Sequence, residues 1–555
     1  MTSNPVPDTS FEICESDQIM VDSNLFPPLV NKEYESRWNQ VFNITNNNTH
    51  GNAEWSKQSD IESLLCESGI PLGLSTDKYY NKKKEISEAI ENLEEEKKYI
   101  LFNPNVHQNL QNTRHSIRTI RYTGNKHLLT VAPSGSGKGR AVQIPVLLEY
   151  DASIFMIDPK GENAIITASY RKDTLKQNVF ILNPFGVLKE EFEQQGLEQH
   201  GFNPLATLDV NDVNFVADVA ALSEALITNE GNDPYWSNAA RELISCLIMF
   251  ICTNNNLLTE DKNLKKMREL LTQPEKNLLI LLTGIVEDDS SFKPLRQKAS
   301  LFANSSKGNA AIISTAITQT SFLDDPRLSE NLCMDDVKFS DLKQDGKTTI
   351  FLILPARFMV AYSKWFRVLV TSALDTLMST PKTSDRSVLF MLDECATIGY
   401  LPSIETAIGL ARGYGIQIWS FFQDIHQIKA IYGNRAESFL ANAGVHQYFA
   451  PNDIELAERI SKRIGNTTIT VHSHSQGSGH SNNHISMNYQ SNSSNSHTEM
   501  GVPLIQPNDV IGMDIDGQIL FFEGNKNPVY AIKNHYNYNF SICTRENRYQ
   551  PNPYL

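Results

Sequence analysis

The stretch that most restricts what this chain can become is Val131 to Arg140, Val-Ala-Pro-Ser-Gly-Ser-Gly-Lys-Gly-Arg. An apolar run, His127 to Val131, leads into it, and the helix-like Ala141 to Tyr150 leads out. A glycine-rich turn between strand and helix turns consecutive backbone N–H groups and a helix N-terminus toward an anion. From the end of such a loop Lys138 would reach the β- and γ-phosphates of a nucleotide, the P-loop arrangement. Ser134, Gly135, Ser136, Gly137, Lys138, Gly139 and Arg140 are therefore the candidate nucleotide-binding residues. Two positions depart from the pattern: Ala132 replaces its first glycine, and Gly139 replaces the Ser or Thr whose hydroxyl normally meets Mg²⁺. The loop alone does not decide the matter, and the rest of the chain has to supply the other half of a site.

Val388 to Leu392 is an apolar strand ending in Asp393-Glu394, the Walker B layout. There Asp393 would hold Mg²⁺, directly or through water, and Glu394 would polarise the attacking water. A further apolar run, Ile416 to Phe422, ends at Gln423, whose amide donates and accepts at once and suits a γ-phosphate sensor. Just before that run stands Ala411-Arg412-Gly413. Arg412 is either a surface residue or an arginine finger offered to a neighbouring subunit.

Organisation along the chain agrees with an α/β class. Ser153 to Ile157 and Val179 to Leu182 are continuous apolar runs that end in Asp158 and Asn183. Buried strands with polar C-terminal ends, separated by helical stretches, predict a mainly parallel central sheet with its ligand edge at those ends. From 203 to 340 the period becomes helical: Val213 to Ala225, Trp236 to Cys252, Asn263 to Leu271, Asn277 to Val286 and Ala310 to Ser321. An all-α domain is thus expected inside the nucleotide-binding domain, which takes 49–202 and resumes over 341–470. Residues 1–48 are polar and weakly patterned, and a flexible segment is expected. Lys82 to Lys98 reads as a solvated helix. Residues 471–500 are rich in Ser, Asn, Gly and His; their five histidines (His472, His474, His480, His484, His497) would suit a metal, but the composition favours a disordered loop. Closing strands and a tail follow over 501–555.

Composition sets bounds. The chain has 555 residues and a formal net charge of −15, so no global basic field draws it to nucleic acid, and a DNA role needs local basic surface. Seven scattered cysteines without C-x-x-C spacing indicate free thiols in a reducing compartment, and no zinc site. No apolar run approaches the roughly 20 residues of a membrane helix.

Taken in order, these segments resemble the conjugative coupling proteins of type IV secretion, the TraG/TraD-type branch of the RecA-like translocases that also contains FtsK. The likeness runs from His50-Gly51-Asn52-Ala53-Glu54-Trp55 through the P-loop and its Gln143-Ile144-Pro145 helix. It continues through Asp158-Pro159-Lys160-Gly161-Glu162-Asn163, Asn183-Pro184-Phe185, Asp233-Pro234-Tyr235-Trp236 and Leu392-Asp393-Glu394. It closes with Ala411-Arg412-Gly413-Tyr414-Gly415, Gln423 and Pro503-Leu504-Ile505. The resemblance implies a RecA-like P-loop ATPase using ATP and Mg²⁺, with Gly139 usual for the branch and Lys138, Glu394, Gln423 and Arg412 as catalytic groups. It also implies a homo-hexamer, type IV secretion channel components as partners, and cargo that is either relaxase-bound single-stranded DNA or protein effectors. Members normally begin with two transmembrane helices, which this sequence lacks. A separate membrane partner, or a peripheral position at the cytoplasmic face of the bacterial inner membrane, is expected instead. A cargo receptor or adaptor with a weak or structural nucleotide site, favoured by the net acidity, and a DNA translocase of another kind are the competing expectations.

Overall fold

The computed structural model describes residues 51–66, 68–75, 119–229, 233–303, 307–344, 347–381, 386–483 and 486–536. The expectations for 1–48, for the Lys82 to Lys98 helix and for the tail beyond 536 lie outside the described residues.

Its strands are β1 (Ile70–Leu74), β2 (Thr119–Tyr122), β3 (His127–Val131), β4 (Ile154–Ile157), β5 (Asn178–Leu182), β6 (Thr348–Leu352), β7 (Val388–Leu392), β8 (Ile416–Phe422), β9 (Ala443–Phe449), β10 (Asn466–Asn483), β11 (Ser486–Pro503), β12 (Gly517–Phe522) and β13 (Val529–Ile532). Eleven of them form one sheet in the order β2-β1-β13-β12-β9-β3-β8-β7-β4-β6-β5. From β9 to β5 every neighbouring pair is parallel. On the other side β12, β13, β1 and β2 extend the sheet with antiparallel pairs.

The parallel strands read as unbroken apolar runs because both of their faces are covered. Successive side chains point to opposite faces, and the core divides accordingly. Phe155, Ile157, Phe390 and Leu392 belong to one buried cluster, while Ile154, Met156, Leu389 and Met391 belong to the other.

Helix α1 (Ile144–Glu149) follows β3, and α2 (Glu162–Asp173) follows β4. Between β5 and β6 the chain leaves the sheet and builds α3 (Phe215–Leu226), α4 (Tyr235–Thr253), α5 (Leu264–Leu271), α6 (Glu275–Glu287), α7 (Lys293–Ser300) and α8 (Lys307–Gln319). Leu243 to Met249 of α4 are buried on every side, because α3, α5, α7 and α8 pack round it. That explains why the helix is so apolar; among the described residues no helix is long and apolar enough to cross a bilayer.

Helix α9 (Ser363–Ser379) joins the helical part to the sheet. Its buried Arg367 donates to the carbonyls of Ala225 (3.3 Å), Ile398 (3.2 Å) and Tyr400 (2.6 Å). Burial, with the nearby Arg241 charge, lowers this guanidinium to about 10. One side chain thus ties α3 to the loop that follows Asp393-Glu394. Arg367→Met, which keeps most of the stem but leaves those carbonyls without a donor, is expected to destabilise the fold by about 3 kcal/mol. A urea unfolding midpoint unchanged from the parent would refute that.

Residues 471–500 correct an expectation. Where a disordered loop was expected, β10 and β11 pair without a register shift from Asn466↔Pro503 to Asn483↔Ser486. The physical reason lies at the base of the hairpin. Thr467-Thr468-Ile469-Thr470-Val471 is a β-branched run, and Thr468 Oγ1 anchors it by donating to the Gly51 carbonyl at 2.9 Å. Once two strands are in register, the antiparallel ladder propagates through backbone groups and does not require apolar side chains. The side chains of the five histidines lie outside the described residues.

Candidate functional site

The loop after β3 needs glycine for its backbone path. Gly135 and Gly137 have φ of 76° and 87°, the left-handed region where a Cβ is costly. The Ser136 N–H closes the turn onto the Pro133 carbonyl (3.2 Å), and the Ala141 N–H bonds to the Gly137 carbonyl (2.8 Å) as the helix begins. Its first turn, Gly139–Gln143, is wide: the Ile144 N–H reaches back to the Gly139 carbonyl. Pro145 accounts for this, since its ring crowds the carbonyl four residues earlier and the wider turn relieves the clash. The N–H groups of Gly137, Lys138, Gly139 and Arg140 precede any partner within the helix, which is what an anion cradle requires.

Lys138 does not sit beside its acids in the sheet. β8 lies between β3 and β7, so the two strand ends are separated by two strand spacings, about 10 Å. The extended lysine spans that gap, with Nζ 3.0 Å from Asp393 Oδ1 and 2.8 Å from Glu394 Oε1. Burial works against the Lys138 charge, but the two carboxylates outweigh it and raise its affinity for the proton. Burial pushes Asp393 above the usual carboxylate range, Glu394 adds to that, and Lys138 opposes it. Glu394 is held at φ 53°. A left-handed non-glycine residue costs on the order of 1 to 2 kcal/mol, and such strain concentrates at working sites. Gln423, at the tip of the intervening β8, donates from Nε2 to Glu394 Oε2 at 3.3 Å. Lys138, Asp393, Glu394 and Gln423 therefore converge at the C-terminal edge of the sheet.

Behind them lies a polar group whose role the sequence did not disclose. Asp158, at the end of β4, accepts from the Ala164 N–H (2.8 Å) and from Asn163 Nδ2 (3.2 Å), fixing the start of α2. Asn163 also donates to Gln143 Oε1 at 3.1 Å. Burial, with the Asp393 charge added, pushes Asp158 up to about 7. The sequence marks Asp158 as a polar residue closing an apolar run and as the first residue of the Asp158-Pro159-Lys160-Gly161-Glu162-Asn163 segment, and neither discloses these contacts. Lys533 and His535, which pack against the P-loop from the end of β13, gave none.

Arg412 is elsewhere. It is exposed and precedes β8, whereas Gln423 follows that strand. Its charge acts on His127 and Tyr122 at the opposite end of the sheet. Seven residues of β8 place it on the order of 20 Å from the pocket of its own chain. Ser134 and Gly135 are exposed at the loop tip, and Arg140 lies on the first helical turn.

The donor set fits a polyphosphate with a divalent cation. The cradle is built on positive-φ glycines, Ser136 Oγ is buried with no partner among the described residues, and Asp393 Oδ1 faces the pocket beside a lysine. Fold and pocket together define a P-loop α/β protein with a strand inserted between its phosphate loop and its acidic pair. The chain belongs to the type IV secretory system conjugative DNA transfer family, whose model matches residues 74–550. It is 29% identical over 413 residues to the conjugal transfer protein TraG of Agrobacterium fabrum, covering 72% of this chain and 59% of that one. It is 28% identical over 407 residues to the type IV secretion system-coupling protein VirD4 of Bartonella henselae, covering 72% and 61%. The chain thus spans about three fifths of the length of these relatives. Among solved structures, the plasmid coupling protein TrwB in complex with the ATP analogue ADPNP superposes with a TM-score of 0.54 at 16% identity, over 74% of this chain and 86% of that one.

Proposed function

We propose that the protein is an ATP-hydrolysing coupling protein that recruits single-stranded DNA with its relaxase, or protein effectors, and drives them into a type IV secretion channel. The observation that carries this reading is the convergence of Lys138, Asp393, Glu394 and Gln423 at one edge of the sheet. TrwB has been solved with ADPNP and with ADP and Mg²⁺, which supports ATP and Mg²⁺ as the groups this pocket takes. Asp393 would hold Mg²⁺, which when bound supplies charge neutralisation to the phosphates.

The remaining roles belong to the chain. Backbone N–H groups of the loop bind the phosphates, and Lys138 leaves its carboxylates to meet them. Freed of the lysine, Glu394 can accept a hydrogen bond from water, and Gln423 orients the Glu394 carboxylate and reads the γ-phosphate position. Arg412 would act on the pocket of a neighbouring subunit in a ring, for which a hexamer is the expected form. Residues 203–340 are the proposed cargo-facing part, and a membrane partner at the cytoplasmic face completes the picture.

Glu394→Gln removes the water-polarising carboxylate while keeping its shape. ATP turnover is expected to fall about a hundredfold with nucleotide affinity retained, and a variant with parental turnover would exclude this role. The motor and receptor readings separate in an ATPase assay with and without single-stranded DNA over a salt series. The motor predicts stimulation that fades as salt rises, because phosphate contacts release counterions. Nucleotide binding without turnover, beside tight effector binding, would establish the receptor instead.

A further inference from the structure

The wide first turn after the P-loop has a consequence at the far end of the chain. With the Ile144 N–H on the Gly139 carbonyl, the next donor in the ladder, residue 145, would serve Arg140; it is a proline and has no N–H. The Arg140 carbonyl instead accepts from the Tyr536 N–H at 3.0 Å. The segment Lys533 to Tyr536, just beyond β13, is thereby laid along the outside of the phosphate loop. The His535 ring abuts Gly137 so closely that a Cβ there would stand 3.3 Å from Cε1.

Lys533 is the working part of this contact. Its side chain is 4% exposed, crosses the Phe449 ring with Nζ 3.9 Å from the centroid, and donates to the carbonyls of Ser136 (3.0 Å) and Ile515 (2.7 Å). A trans peptide points its carbonyl and the following N–H in opposite directions. Holding the Ser136 carbonyl outward therefore turns the Gly137 N–H inward, to the concave side of the loop. An ammonium placed there also adds a positive charge behind the cradle that no solvent screens.

We infer that Lys533 is a positioning residue for nucleotide binding: through the Ser136 carbonyl it presets the Gly137 N–H to receive a phosphate oxygen. This rests on the nucleotide reading above and adds to it a strut from outside either nucleotide motif. The same buried position lowers the Lys533 ammonium to about 8, burial being opposed only by Asp516 and Asp514. His535, at the same face, is paired to Asp516 at 3.2 Å. Lys533 is charged below about pH 8 and neutral above it, so the strut weakens as pH rises through that value.

The test measures ADP affinity, with Mg²⁺, of the unaltered protein and of Lys533→Met between pH 7 and 9. At pH 7 the variant is expected to bind ADP roughly tenfold or more weakly, the worth of one charge-assisted hydrogen bond, and to show the same loss in KM for ATP with a smaller change in kcat. The unaltered protein should lose affinity from pH 7 to 9 while the variant stays level. A merely structural lysine would move the melting temperature but not this pH profile. Equal affinity of the two proteins, or a flat profile for the unaltered one, overturns the inference; the second result needs no variant to fold. Failure of the unaltered protein to bind ADP at all would remove the nucleotide reading and this inference together, whereas binding indifferent to Lys533 removes the inference alone.

Discussion

Lys138→Ala is expected to bring ATP turnover to background, a loss on the order of a thousandfold or more. The ammonium bridges the phosphate loop and the acidic pair, at 3.0 and 2.8 Å, and no backbone N–H can replace its charge. The variant should also differ before any nucleotide is added. Without the lysine, Asp393 is left buried beside Glu394 with no counter-charge, and its proton affinity rises further above the ordinary 3.8. A carboxyl raised in the folded state makes the fold bind more protons than the unfolded chain, so stability falls as pH rises. The melting-temperature gap between parent and variant should therefore be wider at pH 8 than at pH 5. Parental turnover in this variant would remove the P-loop assignment; an equal gap at both pH values would remove the account of Asp393.

Arg412→Ala is expected to cost about a thousandfold in turnover once subunits assemble, the scale of an arginine finger. Its position decides how the experiment must be read. The side chain is exposed at the N-terminal end of β8, a strand length from the pocket of its own chain, so it can complete only a neighbour's site. The parent should therefore gain specific activity with protein concentration, and the variant should stay low throughout. Adding excess Lys138→Ala protein, which keeps Arg412, should restore turnover to Arg412→Ala, because one supplies the finger and the other the pocket. A parental specific activity that does not vary with concentration would sink the trans role.

Much of this was legible in the sequence because it is local. The apolar runs of β3, β4, β7 and β8 coincide with the observed strands to within a residue, since a strand buried on both faces has no alternative composition. Lys138, Asp393, Glu394 and Gln423 were legible for a related reason: each closes a strand or a loop at the edge where ligands sit. The rest is non-local or set by backbone alone. Lys533 meets Ser136 across 397 positions, and no periodicity relates them. The Asp158 contacts with α2 depend on side-chain direction, which a run of apolar residues does not encode. The hairpin of β10 and β11 is not legible because its polar composition points to disorder, whereas its pairing is carried by the main chain.

The placement of the helical region between β5 and β6 has a cost in time. With it in place Lys138 and Glu394 lie 256 positions apart, and residues that far apart in the chain meet late, after much loop entropy has been lost. During synthesis the β3 to β5 segment emerges with its apolar strand edges waiting for β7 and β8, which are still inside the ribosome or not yet made. A nascent chain of this design is exposed to aggregation for as long as the helical region takes to be translated. Its yield in cells should therefore depend on chaperones more steeply than its final stability would indicate.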